Sequence, residues 1–197
     1  MTSIRFAEAD RDAAAIAAIY RSSVETGFAS FEEVAPTTDE MRRRIVTILA
    51  RTPWLVATAD TGASVIGYAY AGPHRERAGY RWAVDISAYV DVDHQGIGVG
   101  SALYDALIPI LRAQRFVTVH AGVTQPNEAS SRLHRAIGME LVGVYRSVGY
   151  KAGAWRDVAW YSMRLANTTS PPEEPIPLPE LREARPMLLA QADRVAS

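Results

Sequence analysis

Two hydrophobic periods alternate in blocks along the chain. Residues 3–9, "SIRFAEA", alternate apolar and polar side chains as a half-buried strand does. The following block, "RDAAAIAAIYRSSVE", sets Ile16, Ile19 and Tyr20 on one helical face with Asp10 as its expected cap. A second helix is predicted within "APTTDEMRRRIVTILART", where a capping threonine or aspartate precedes Met41, Ile45, Ile48 and Leu49; "TGFASFEE" before it reads as an ordered loop. "WLVATAD" and "SVIGYAYAG" are β-rich runs separated by the turn residues "DTGA", and "YRWAVDISAYVDV" is a third. The period then returns to helical: Val99, Leu103, Ala106, Leu107, Ile110 and Leu111 share a face, so a buried helix is expected from about Gly98, with Pro109 expected to kink it.

A short apolar strand, "FVTVHAGVT", follows, then a helix in "PNEASSRLHRAIG" with Asn127 at its cap and Gly138 at its end. Two further β-rich runs, "LVGVYRSVGYK" and "RDVAWYSMRL", close a domain expected to span residues 1–166. Parallel crossovers mixed with hairpins give an α/β class that is not the strict alternation of a doubly wound fold. Residues 167–197 carry six of the eleven prolines. Proline removes donors and fixes extended backbone, so this segment is expected to be a tail over the surface or across a partner subunit, ending in a short helix at "MLLAQADRV".

Length changes the picture little: 197 residues, 48% of them hydrophobic, suit one domain with a real core. Charge narrows it more. The formal net charge of -1 offers no field for a polyanion, so no nucleic-acid partner is expected. Cysteine is absent, which removes disulfides, thiolate metal sites and a cysteine nucleophile together. The N-terminus meets charge by its fifth residue and no apolar run approaches membrane-spanning length, so no membrane partner is expected and the chain reads as cytosolic.

The most concentrated chemistry lies in "VDVDHQGIGVGSALYDAL", where Gly96, Gly98 and Gly100 enter the buried helix. A helix N-terminus has unpartnered N–H groups and positive dipole, and glycine lets an anion approach that backbone; a tight turn needing glycine for its dihedral angles is the other reading. A dinucleotide fingerprint is disfavoured because Ser101 occupies the position of its third glycine, and a P-loop because no Gly-Lys-Ser/Thr ending is present. What remains is Q-x-x-G-x-G between a strand and a helix.

With that loop, "PWLVA", "GYAYAGPHRERAGYRWAVDISAYVDVDHQGIGVGSALY", "NEASSRLHRAIGM" and "GYKAGAWRDVAWYSMRL" stand in an order that resembles the GCN5-related N-acetyltransferase (GNAT) superfamily, phosphinothricin acetyltransferase type, over residues 4–165. The resemblance implies the GNAT fold, a mixed and mostly antiparallel sheet flanked by helices. It implies acetyl-CoA as co-substrate, a homodimer, and a small amino-acid-like amine as acceptor. It places the pantetheine arm along Ala88, Tyr89 and Val90, the pyrophosphate on Gln95, Gly96, Ile97, Gly98, Val99, Gly100 and Ser101, and a further cofactor contact at Asn127.

Acyl transfer to an amine requires proton removal from the amine, a donor for the oxyanion, and a proton for the departing thiolate. Asp85 is a carboxylate in an otherwise apolar strand, read either as a base or as a carboxylate facing solvent or neutralised by an arginine such as Arg81. The resemblance assigns the base role to this position, where the family has glutamate, and aspartate is one methylene shorter. His134 lies seven residues beyond Asn127 on the same helix face. It reads as acid to the thiolate, as the family suggests, or as a helix histidine satisfied by a backbone carbonyl. His74, His94 and His120 share no metal-ligand spacing, so no metal is predicted. "GPHRERAGYRW" offers Arg75, Arg77, Tyr80 and Trp82 as a grip for an anionic acceptor, or a solvated charged loop. The family's matching loop places Phe28 and Phe31 on the opposite wall. Ala152 stands where close relatives often have histidine. Two rival readings are a non-catalytic acetyl-CoA-binding module and an acetyltransferase of protein or peptide amines.

Overall fold

The computed structural model describes residues 2–59, 64–168 and 171–184. Seven strands and five helices follow in order: β1 (Thr2–Phe6), α1 (Ala9–Glu25), α2 (Thr38–Leu49), β2 (Trp54–Ala59), β3 (Ser64–Pro73), β4 (Ala83–Val90), α3 (Val99–Ala113), β5 (Thr118–Thr124), α4 (Glu128–Ala136), β6 (Glu140–Lys151), β7 (Ala154–Arg164) and α5 (Leu178–Ala184). The strands form one sheet in the order β1-β2-β3-β4-β5-β7-β6. Every pairing is antiparallel except β4 with β5. The turn expected at "DTGA" and the helix expected at "MLLAQADRV" lie outside the described residues.

Period-two alternation sorts each strand's side chains between two cores. On one face α3 buries Val99, Leu103, Leu107, Ile110 and Leu111 against Leu55, Ala69, Val84 and Ile86. On the other, α1 and α2 bury Ile16, Tyr20, Met41 and Ile45 against Trp54, Val56 and Tyr68. Helix α3 continues through Pro109, whose solvent-facing position confines the cost to one missing backbone bond. Tyr104, absent from the expected apolar face, is fully buried with it.

Cap positions follow local chemistry with one correction. Thr37 accepts from Glu40 N–H at α2 and Asn127 accepts from Ser130 N–H at α4. At α1 the N-cap is Glu8 rather than Asp10. Asp12 turns inward there, accepts Glu8 N–H at 2.8 Å and binds Arg5 through two bonds of 2.7 Å. Burial pushes the Asp12 carboxyl up, and the Arg5 and Glu8 hydrogen bonds outweigh it to hold the group below its ordinary value.

Residues 171–184 lie over the domain. Ile176 and Gln114 bond through two contacts, Leu178 N–H donates to the Arg51 carbonyl, and Leu178 and Leu181 enter the α3-side core. Glu173 and Glu174 pair with Arg115 and Arg81.

Candidate active site

The pairing of β4 with β5 stops early. It runs through Ala83–Thr118 and Val84–Val119 and ends at Asp85–His120, after which the two strands diverge. Their unpaired ends, Ile86 to Val90 and Gly122 to Thr124, line a cavity of about 540 Å³ whose other walls are the glycine turn and α4. The cleft exposes strand backbone that would otherwise be paired, a surface suited to an extended ligand with amide groups.

At one end lies the glycine turn. A short 3-10 turn, Val92–His94, and the Gln95 side chain on the Val90 carbonyl bring the chain back toward α3. Gly96 has φ +77 and Gly98, the N-cap, φ +91, a conformation costly for any residue with a Cβ. Gly100 is needed for a different reason, since a Cβ there would stand 2.9 Å from Leu133 Cδ2 of α4. The amides of Val99, Gly100 and Ser101 occupy the first turn of α3, where no helical carbonyl reaches them. Gln95, Gly96, Gly98, Val99, Gly100, Ser101 and Asn127 all line the cavity. Ile97 does not; its side chain is exposed. Tyr89 contributes backbone to the cleft while its ring stacks on Tyr68 and meets Tyr20 edge-on across the sheet.

At the apex of the divergence, three strands bring together residues that are scattered in sequence. His74 follows β3, Asp85 lies on β4 and His120 on β5. His74 Nδ1 and Asp85 Oδ1 are 2.6 Å apart, and the two imidazoles stack with centroids 4.4 Å apart. Burial pushes the Asp85 carboxyl above its ordinary value, although the His74 hydrogen bond and the His74 and Arg75 charges oppose it. Burial also lowers His120, aided by the charges of His74 and Arg75. Arg81, weighed above as the neutralising partner of Asp85, instead pairs with Glu174. Sequence reasoning set His74 and His120 aside because their spacing fits no metal motif. The signal that could have found them is strand register, since alternation puts both on the Asp85 face.

His134 lines the cavity on the opposite wall and is buried. Its Nδ1 donates to the Ser130 carbonyl at 2.7 Å, and its Nε2 accepts from the Tyr104 hydroxyl at 3.2 Å. Burial lowers its pKa against the opposing Ser130 bond, so the ring is neutral at neutral pH with its one proton committed to the carbonyl. The carbonyl-satisfied alternative describes this histidine's bonding, and any acidity must come at the expense of that bond.

The expected acceptor-binding residues divide. Arg75 lies over the Trp160 ring at 5.7 Å, and Tyr80 meets the His74 ring edge-on. Both therefore join the Asp85 row, together with Trp160, which sequence reasoning missed. Arg77 is exposed at the N-cap of the Ala78–Tyr80 turn. The Trp82 indole N–H donates to the Glu173 carbonyl and its ring lies under Arg81, so the C-terminal segment engages it. Phe28 stacks under Arg156 and the Phe31 ring seats on the backbone of Gly149, which anchors their loop to the β6–β7 hairpin and leaves Ala29 to reach the cavity. Among the described residues no cluster of His, Cys, Asp and Glu suits a metal ion, and no helix is long and apolar enough to cross a membrane.

The acetyltransferase (GNAT) domain model matches residues 4–160, most of the chain and both ends of the cleft. The chain belongs to the GNAT acetyltransferase family. It is 36% identical over 170 residues to the phosphinothricin N-acetyltransferase of Streptomyces viridochromogenes, covering 86% of this chain and 91% of that one. To the phosphinothricin N-acetyltransferase of Alcaligenes faecalis it is 42% identical over 167 residues, covering 83% and 84%. Among solved structures, a GNAT superfamily phosphinothricin acetyltransferase from Sinorhizobium meliloti in complex with acetyl-CoA superposes with a TM-score of 0.84 at 38% identity, covering 92% of this chain and all of that one.

Proposed function

We propose that the chain transfers the acetyl group of acetyl-CoA to the amine of a small amino-acid-like acceptor, of the phosphinothricin or methionine sulfoximine kind. The observation that carries this reading is the cleft itself: diverging strands with free backbone, closed at one end by unpartnered helix amides, with a half-buried carboxylate, Asp85, next to the lining residue Ile86 where the strands begin to part. The similar proteins named for phosphinothricin supply the acceptor class.

In this reading the amides of Val99, Gly100 and Ser101 receive the pyrophosphate, and Gln95, Gly96, Gly98 and Asn127 shape its seat. Ala88, Tyr89 and Val90 pair with the pantetheine amides, and a backbone N–H of the same stretch donates to the oxyanion. Asp85 supplies the negative charge that draws the proton from the acceptor ammonium. Arg75 and Arg77 with Tyr80 receive the acceptor's anionic group, Phe28 and Phe31 hold the facing loop, and His134 with Tyr104 forms the wall beside the thiolate.

A homodimer completes the reading. Leu141, Val142, Tyr145, Val148, Tyr150 and Trp155 expose apolar surface on the β6–β7 hairpin at one end of the sheet. A cytoplasmic location goes with acetyl-CoA as co-substrate. The test is thiol release from acetyl-CoA, with product mass, across L-amino acids, phosphinothricin, methionine sulfoximine and short peptides. Turnover of a small anionic amine is expected. Turnover confined to peptides would reassign the acceptor, and tight acetyl-CoA binding without turnover would make the chain a binding module.

A further inference from the structure

The reading above leaves open which atom takes the proton. Asp85 is the shorter carboxylate, and its Oδ1 is already spent on His74 Nδ1 at 2.6 Å. A carboxylate so engaged accepts the Nδ1 proton, which fixes the imidazole tautomer and leaves Nε2 as a lone pair. Nε2 has no hydrogen-bond partner among the described residues, and the ring keeps some solvent exposure, with 17% of its side chain accessible. His74 and Asp85 stand where β4 and β5 begin to diverge, beside the cleft residues Ile86 and Ser87. The ring is held from other sides too: His120 stacks on it at 4.4 Å, while Tyr80 and Trp160 meet it edge-on.

Resting on the acetyl-transfer reading, we propose that the proton acceptor of the reaction is Nε2 of His74, held in its Nδ1–H tautomer by Asp85. The acceptor ammonium gives one proton to Nε2, and the freed nitrogen lone pair attacks the thioester carbonyl. The C–N bond forms as the carbonyl π electrons move to oxygen; collapse of that oxyanion breaks the C–S bond. The second nitrogen proton goes to the thiolate, so amide and thiol leave, and His74 returns its proton to solvent. Asp85 stabilises the imidazolium in the meantime and is a positioning residue. His120, stacked on the same ring, is kept uncharged by burial and by the neighbouring charges of His74 and Arg75. The titratable and charged groups around His74 are Asp85 from β4, His120 from β5, Tyr80 from the turn that follows His74, and the adjacent Arg75.

The experiment compares wild type, His74→Gln and Asp85→Asn in pH profiles of kcat/KM with phosphinothricin or methionine sulfoximine, with imidazole 15N spectra and thermal melts of each. Wild type is expected to gain rate on an ascending limb as rising pH frees the base. His74→Gln should lose this limb and about 10²-fold or more in kcat/KM, as removal of a general base does. Asp85→Asn should keep the limb at a lower overall rate, because the base remains but is no longer held in its productive tautomer. The reverse pattern, with the limb erased by Asp85→Asn and kept by His74→Gln, makes Asp85 the base and overturns the proposal. The spectra decide independently of turnover: wild-type His74 protonated on Nδ1, and this preference lost in Asp85→Asn, supports it. An Nε2–H tautomer in wild type overturns it even if no tested amine is acetylated, whereas failure of turnover alone overturns only the acceptor assignment.

Discussion

The two ends of the cleft are built in opposite ways. The proposed anion end is contiguous: Gln95 to Ser101 form one turn, and each glycine answers a local demand, positive φ at Gly96 and Gly98 and close contact with Leu133 at Gly100. The proposed proton end is assembled across the sheet from His74, Asp85 and His120, which meet because the β3–β4 register brings His74 beside Asp85 and the β4–β5 register sets His120 opposite it. A contiguous site depends on dihedral angles and tolerates changes elsewhere. A cross-strand site depends on register and on which partner each polar group finds. Substitutions at the two ends should therefore fail in different observables.

Asp85→Asn should have the largest effect, lowering kcat/KM by about 10²–10⁴-fold while the melting temperature moves little. A small loss would mean that the proton end does not limit the reaction. Next comes a change at neither end: Leu181→Ala, which empties a fully buried position of α5, should cost about 2–5 kcal/mol in denaturant unfolding. Its acetyl-CoA affinity and pH profile should stay as in wild type. Loss of affinity there would tie the C-terminal segment to the cleft and blur the comparison.

Gly98→Ala should cost about 1–3 kcal/mol, seen as weaker acetyl-CoA binding together with lower stability, because a left-handed N-cap strains a side chain. The shape of its pH profile should not change. The smallest effect belongs to Ala152, which has φ +52 in the two-residue turn joining β6 to β7. Ala152→Asn suits that turn and should stabilise by a few tenths to about 1 kcal/mol, read from the unfolding midpoint, with no effect on either end.

These differences also account for what was legible beforehand. Strands, helices and the glycine turn were readable because period, caps and glycine spacing are local signals, and Thr37, Asn127 and Gly98 stand where that chemistry requires. Asp85 was visible as a charge in an apolar run. Its partner was not, because choosing among Arg81, His74 and solvent depends on where the C-terminal segment crosses; Glu174 removes Arg81 from the choice. The contact of Trp82 with Glu173 was hidden for the same reason. Tyr104 and His134 were separable only in three dimensions, where burial commits the histidine's proton to Ser130. Leu178 and Leu181 lie in a proline-rich stretch whose composition suggests a surface tail, yet both complete the core.

The independence of the two ends is tested most directly by calorimetric titration of acetyl-CoA into the Asp85→Asn variant. The account predicts a Kd within about twofold of wild type in a protein that has lost most of its turnover, since less than ~0.5 kcal/mol of binding is at stake. A Kd weakened tenfold or more would contradict it, because the carboxylate would then be part of the cofactor seat rather than of the proton end.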